Sequence, residues 1–209
     1  MIITYYDKQF IRIQLGDTVL AVNPIGKGSK FPSARFGADI ALVSVPHPDY
    51  NGVENVTYGE KEPFVISCPG EYEVNGVYVK GMSSETQLGK DSYINTVYRI
   101  SLEQMHVVVL GALASNEVSP EVYEGIGEDV DILITPVGDG DLLTPSAAHK
   151  FATKLGAKII IPVDTDAAML KTFLKEAGAE GVKATEKATL KKKDVSAMEG
   201  EVIVLKTTK

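Results

Sequence analysis

The hydrophobic pattern of the chain changes character about halfway along. In the first half, apolar and polar residues alternate in short runs. Gln9 to Leu15 sets Ile11, Ile13 and Leu15 against Phe10, Arg12 and Gln14, the period of two of a half-buried strand. Gly16-Asp17 then predicts a tight turn into a second strand over Thr18 to Asn23. Pro24 to Arg35, rich in Gly, Lys and Ser, reads as a loop. Asp39 to Val45 predicts a buried strand and Phe64 to Cys68 a short one. Asn75-Gly76 is the strongest local hairpin signal, flanked by Glu71 to Val74 and Val77 to Lys80. Tyr93 to Ser101 and Met105 to Leu110 predict a further pair.

The second half alternates strands with helices. Asp131 to Pro136 is apolar without alternation, which predicts a strand buried on both faces. After a loop, Thr144-Pro145 supplies a cap and a proline at the first helical position. That helix runs to about Leu155 and stops at Gly156. Lys158 to Pro162 predicts the next buried strand. Asp164-Thr165-Asp166 then caps a helix over roughly 167 to 177, ended by Gly178. Ala188 to Lys191 and Val202 to Lys206 read as closing strands. Ile134-Thr135-Pro136-Val137-Gly138-Asp139 echoes Ile160-Ile161-Pro162-Val163-Asp164, a recurring α/β connection rather than a repeat array. No linker or low-complexity segment divides the chain, so residues 1–209 are expected to form one domain. Hairpins first and strand–helix units later fit an α+β sandwich, sheets inside and helices outside, although composition leaves several folds open.

Composition narrows the function classes. A chain of 209 residues with 44% hydrophobic residues can bury a substantial core. Its net charge of -7 argues against a general nucleic-acid binder, and Lys191-Lys192-Lys193 reads as a solvated turn or edge. The one cysteine, Cys68, excludes an intrachain disulfide and fits a reducing compartment. It is expected to be a small buried residue. Met1 to Lys8 lacks the basic start and apolar run of a signal peptide. No segment approaches the ~20 continuous apolar residues of a spanning helix. The expectation is a cytoplasmic protein with neither membrane nor nucleic acid as partner.

The chemistry-bearing stretch is Val43-Ser44-Val45-Pro46-His47-Pro48-Asp49-Tyr50. An apolar run leads into a His and an Asp two residues apart, where a buried strand would run out into a loop. The spacing resembles the His-x-His-x-Asp-His signature of the metallo-β-lactamase superfamily. Aligned on His47 and Asp49, the family's first His falls on Val45 and its last on Tyr50. Four further segments carry the resemblance. Thr18 to Pro24 looks like the early strand ending in Asp-Pro, here with Asn23 for Asp. Cys68 to Gly76 resembles a Pro-Gly-Glu hairpin. Leu110 to Ser115 sits where the family has Gly-Asp followed by His, and Ile161-Pro162-Val163-Asp164 where it has Pro-x-His. The likeness runs from about Phe10 to Pro162 and is to the branch that includes ascorbate-6-phosphate lactonase-like proteins. It implies a metallo-β-lactamase-like αββα sandwich.

The same resemblance implies a metal site that this sequence fills poorly. A catalytic zinc takes about three protein ligands and a water whose pKa it lowers. The family's ligands are the three His and the Asp of the first motif, the Gly-Asp aspartate and two later His. Only His47 and Asp49 match. Val45 and Ala112 have no donor, Tyr50 could coordinate only as a phenolate, Ser115 is a poor zinc ligand and Asp164 replaces a His. His106, at the start of a strand, and His149, in a helix, lie on neither matched position.

Three functions remain open. A divergent, non-catalytic protein would keep the scaffold, need no cofactor, and bind a small molecule or protein partner through residues such as Tyr50, Ser115 and Asp139. A hydrolase of esters, phosphoesters or lactones would hold a single divalent metal, Mg, Mn or Zn, on His47, Asp49 and Asp164. Acids do gather at predicted strand ends, at Asp49, Asp139, Asp141, Asp164 and Asp166, where ligands of α/β folds bind, and oxygen donors suit Mg or Mn. The plainer roles of these groups are helix caps for Asp164 or Asp166, turns for Asp139 and Asp141, and a loop-bracing pair for His47 and Asp49. A self-associating homo-oligomer paired through strand edges is the third. Gly26-Lys27-Gly28-Ser29-Lys30 lacks P-loop spacing and reads as a mobile loop beside the site mouth.

Overall fold

A computed structural model describes residues 1–208. Its strands are β1 (Ile2–Asp7), β2 (Phe10–Leu15), β3 (Thr18–Val22), β4 (Ile40–Leu42), β5 (Phe64–Ile66), β6 (Gly70–Val74), β7 (Val77–Leu88), β8 (Asp91–Leu102), β9 (Met105–Val109), β10 (Ile132–Pro136), β11 (Ile159–Val163), β12 (Ala188–Thr189) and β13 (Glu201–Val202). The helices are α1 (Pro120–Ile126), α2 (Pro145–Lys154), α3 (Ala167–Glu176) and α4 (Lys192–Val195). One sheet runs in the order β12-β1-β2-β3-β4-β5, the other β13-β11-β10-β9-β8-β7-β6. The first half contributes antiparallel hairpins together with a parallel run over β3, β4 and β5, and β9, β10, β11 and β13 pair in parallel.

The main core lies between the sheets. Ile11, Ile13, Leu20, Val22 and Leu42 of one sheet share a buried cluster with Ile100, Val107, Ile132, Ile134 and Ile161 of the other. On the outer face of the second sheet, Val108, Leu133 and Ile160 pack with Ile126 of α1, Phe151 of α2 and Phe173 of α3. Strands β10 and β11 are therefore buried at every position, which is why they show no alternation. Each fully buried Ile, Leu or Phe contributes about 1.5–3 kcal/mol relative to exposure. The outer face of the first sheet is covered differently. Phe10, Val19, Ala21 and Ala41 pack under Ile25, Ala38 and Val56, so a loop segment supplies the layer where a helix was expected.

Local signals position the ends. Asn75 and Gly76 both have positive φ, at 53° and 76°, as their hairpin requires. Thr144 Oγ1 accepts from the Ala147 amide at 3.3 Å. Asp166 Oδ1 accepts from the Ala168 and Met169 amides at 2.8 Å each. Asp166, not Asp164, is thus the cap of α3, and Asp164 has another role.

Several expectations need correction. Cys68 is exposed, not buried, because it follows the edge strand β5 in the link to the edge strand β6. Strand β1 was not expected, since Ile2 to Asp7 does not alternate. β7 and β8 each extend to twelve residues, beyond the Val77 to Lys80 and Tyr93 to Ser101 read from the pattern. The closing strands β12 and β13 are two residues each and join different sheets. Lys192 is not simply solvated: it pairs with a buried carboxylate, Asp131, at 2.7 Å. Among the described residues, no helix is long and apolar enough to cross a membrane.

Candidate functional site

Parallel strands expose their carboxyl ends on one side of the molecule, and a cavity opens there. Its volume is about 610 Å³. The turn after β1 brings Lys8 to it, the loop after β4 brings His47, Asp49 and Tyr50, the loop after β10 brings Asp139 and Asp141, and the end of β11 brings Asp164. The acids expected at strand ends do converge on one cavity.

Asp164 is its best-bonded group. Its side chain is 6% exposed, and Oδ1 lies 2.6 Å from Lys8 Nζ. The other oxygen, Oδ2, accepts from the Tyr50 hydroxyl at 3.1 Å and from Gln9 Nε2 at 3.4 Å. The Asp164 amide donates to Tyr5 Oη at 3.3 Å. The Asp164 backbone has φ 50°, a left-handed conformation that Asp tolerates better than most residues. Burial, with the charge of Asp164 beside it, drives the Tyr50 phenol far above its ordinary range. Tyr50 is therefore held as a neutral phenol that donates to Asp164. Burial raises the Tyr5 phenol in the same way.

His47 and Asp49 form a second, adjacent group. The Asp49 amide donates to His47 Nδ1 at 3.2 Å, and Asp49 Oδ2 is 3.9 Å from that nitrogen. Ser29 Oγ donates to Asp49 Oδ1 at 2.5 Å. The Gly26 amide donates to the Pro48 carbonyl at 2.7 Å, so the glycine-rich loop is tied directly to the His47–Asp49 loop. The His47 ring meets Tyr50 and Tyr93 edge-on, with centroids 6.1 and 5.9 Å away.

Beneath these groups lies an apolar floor. Val45, Tyr50 and Ala112 form one buried cluster, with Leu88, Tyr93 and Leu142 packed against it. Asn95 fixes that floor: Oδ1 accepts from the Ala112 amide at 2.9 Å, and Nδ2 donates to the Leu110 carbonyl at 3.0 Å. Gly111 between them has φ 60°, and a Cβ there would fall 2.2 Å from Asn95 Oδ1 and 2.7 Å from Ser44 Cβ. Only glycine fits this crossing.

Among the described residues, no group of three or more His, Cys, Asp or Glu side chains is placed to hold an ion. His47 and Asp49 are together, but Asp164 is engaged by Lys8, Tyr50 and Gln9. Ser115 does not line the cavity: it is exposed, and its Oγ accepts from the Glu117 amide at 3.1 Å. Asp139 does line it. Asp141 lines it too and accepts from the Gly89 amide at 2.6 Å, a long-range tie to the turn between β7 and β8. His106 contacts Ser101 Oγ at 3.0 Å on the far end of the sheet, and His149 lies in α2 away from the cavity.

Lys8, Gln9, Tyr5 and Asn95 escaped sequence reasoning. Lys8 did carry one signal. A residue of the two-residue turn between β1 and β2 must have positive φ, and Lys8 takes it at 49°, where glycine is usual.

Two mixed sheets packed face to face, with a polar cavity at the ends of their parallel strands, define the metallo-β-lactamase architecture. Residues 2–164 match the Beta-lactamase superfamily domain, and the chain belongs to that family. No curated protein matches it. The fold resembles that of a Thermotoga maritima protein described as a candidate Zn-dependent hydrolase of the metallo-β-lactamase superfamily, with 27% identity, a TM-score of 0.78, and 98% of this chain and 97% of that one covered. A candidate metal-dependent hydrolase of Parabacteroides distasonis is similar at 17% identity and a TM-score of 0.64, covering 97% of this chain and 91% of its own. An isothiocyanate hydrolase from Delia radicum gut bacteria shares the fold at 12% identity and a TM-score of 0.65, covering 100% of this chain and 98% of its own.

Proposed function

We propose that the chain is a divergent, non-catalytic member of the superfamily that uses its cavity to bind a small molecule or a protein partner. One observation carries this. Of the positions that match the family's metal ligands, only His47 and Asp49 keep the family's residues; the others hold an apolar floor, Val45 and Ala112, a neutral phenol, Tyr50, an exposed Ser115 and a carboxylate already paired with Lys8. Such a set supports loss of the dinuclear site across its whole extent. The mouth retains Asp139, His47 and the edge of Tyr50, groups suited to hydrogen-bonding a polar ligand. A single domain is supported by the last strands, which complete both sheets begun earlier.

A second reading has support of its own. The Thermotoga maritima relative, matched over almost its entire length, is described as a candidate Zn-dependent hydrolase, and the His47–Asp49 pair survives at the cavity mouth. A mononuclear hydrolase of an ester, phosphoester or lactone would use that pair with Asp164. The test is the metal content of protein purified without chelator, measured by mass spectrometry, for the wild type and His47→Ala. We expect no stoichiometric ion in either, including after Zn, Mn or Mg is supplied. One ion per chain in the wild type, absent from the variant, would overturn the non-catalytic reading in favour of the second.

A further inference from the structure

We propose that Lys8 is the resident cation of this cavity, a covalently tethered positive charge that does the electrostatic work of a metal ion and excludes one. The proposal rests on the non-catalytic reading of the site and says how the site came to need no metal.

Three observations lead to it. The first is crowding. A carboxylate offers about four lone-pair directions, and Asp164 uses three, on Lys8, Tyr50 and Gln9. Metal–oxygen bonds are roughly 2.0–2.6 Å long. An ion bound to either oxygen of Asp164 would press against an ammonium itself only 2.6 Å from Oδ1. The second is backbone cost. Lys8 sits at φ 49° in its turn, where glycine would be unstrained, and the surrounding chain fixes it there. Its amide donates to Asp7 Oδ1 at 2.7 Å, and its carbonyl accepts from the Tyr5 hydroxyl at 2.9 Å. A side chain retained at a strained position points to a use for that side chain. The third is placement. Lys8 Nζ also lies 4.9 Å from the centroid of the Phe31 ring, so the ammonium is held between an aromatic face and a buried carboxylate rather than left in solvent.

The consequence concerns Asp164. A buried carboxylate without a counter-charge is strongly unfavourable, and here the counter-charge arrives on the β1–β2 turn. Tyr50, at the position where the family motif has its last His, completes the shell with a hydroxyl that donates to Oδ2 at 3.1 Å.

The sign of one substitution tests this. Lys8→Gly removes the ammonium and relieves the backbone at once. If Lys8 were only a turn residue, the glycine variant would unfold at the same temperature as the wild type or higher. A resident cation predicts the reverse, a midpoint lower by on the order of 5 °C. Thermal unfolding of the full chain is then repeated with Mn2+ or Zn2+. The wild-type midpoint should stay constant. The Lys8→Gly midpoint should rise with added ion, and a Lys8→Gly/Asp164→Asn double variant should be indifferent to it. Should Lys8→Gly not fold, the double variant, which has no orphaned charge, should. A glycine variant as stable as the wild type, one that ignores added ions, or a double variant that also fails to fold would each overturn the proposal. Hydrolysis of an ester by the wild type with chelator present would sink the non-catalytic reading alone and leave Lys8 in its role.

Discussion

Two buried aspartates sit at opposite ends of the parallel strands, and both are neutralised by lysine. Asp131, just before β10, has a fully buried side chain. It receives Lys158 and Lys192 at 2.7 Å each, and the His106 amide at 2.9 Å. Asp164, just after β11, receives one lysine, a phenol and an amide. At the amino ends of the strands the Asp131 side chain is fully enclosed, and its doubled ion pair and the His106 amide tie β9, β11 and α4 together. At the carboxyl ends the loops splay apart, and the same chemistry stands beside a cavity. The pairing is alike at both ends. What differs is the company: at the carboxyl ends His47, Asp49 and Asp139 line the same cavity as the ion pair, so function is to be sought there.

The sharpest way to break this comparison is Asp131→Ala. It strands two lysines and the His106 amide, and should cost about 3 kcal/mol in chemical denaturation. A loss below about 1 kcal/mol, within the range of an ordinary surface ion pair, would mean that the closed end is no more structural than the open one. Acid sharpens the same point. Burial opposes ionisation of Asp131, yet hydrogen bonds from Lys158, Lys192 and the His106 amide outweigh it and hold its carboxyl below the ordinary range. A folded pKa below the unfolded one gives stability that is complete above an unfolded pKa of about 3.9 and disappears as pH falls through the folded value. Wild-type stability should therefore fall more steeply than that of Asp131→Ala below about pH 4; parallel profiles would show that Asp131 contributes nothing. The smallest effect is expected at the open end. Tyr50→Phe removes one donor to Asp164 while keeping the ring on Val45 and Ala112, and should cost about 1 kcal/mol. A cost of 3 kcal/mol or more, comparable to breaking a buried ion pair, would make the phenol, not Lys8, the chief support of Asp164.

What the sequence disclosed follows from range. Asn75-Gly76, Thr144-Pro145 and Gly178 act over a few residues, and each forms the turn, cap or stop that its chemistry dictates. The unbroken apolar runs of β10 and β11 disclosed burial on both faces. His47 and Asp49 were legible as a pair because two residues separate them. The rest of the site is long-range. Gln9 and Asp164 are 155 positions apart, and nothing near Lys8 announces a partner. Lys192 was hidden for the same reason inside Lys191-Lys192-Lys193, since its carboxylate is 61 positions away. Asn95 looked like one polar residue in a strand, and only the crossing at Gly111 explains it.

The pairing of Lys8 with Asp164 also dictates an order of events during synthesis. The turn that carries Lys8 leaves the ribosome long before the carboxylate it pairs with. Its carboxylate follows only after most of both sheets has been translated. Strand β1 must wait longer still for β12, its other neighbour. Such distant partners make for slow closure, so the cavity is one of the last features to form. A chain interrupted before Asp164 would hold two half-built sheets with an unpaired first edge, and the completed cavity certifies that the chain has been made through β11.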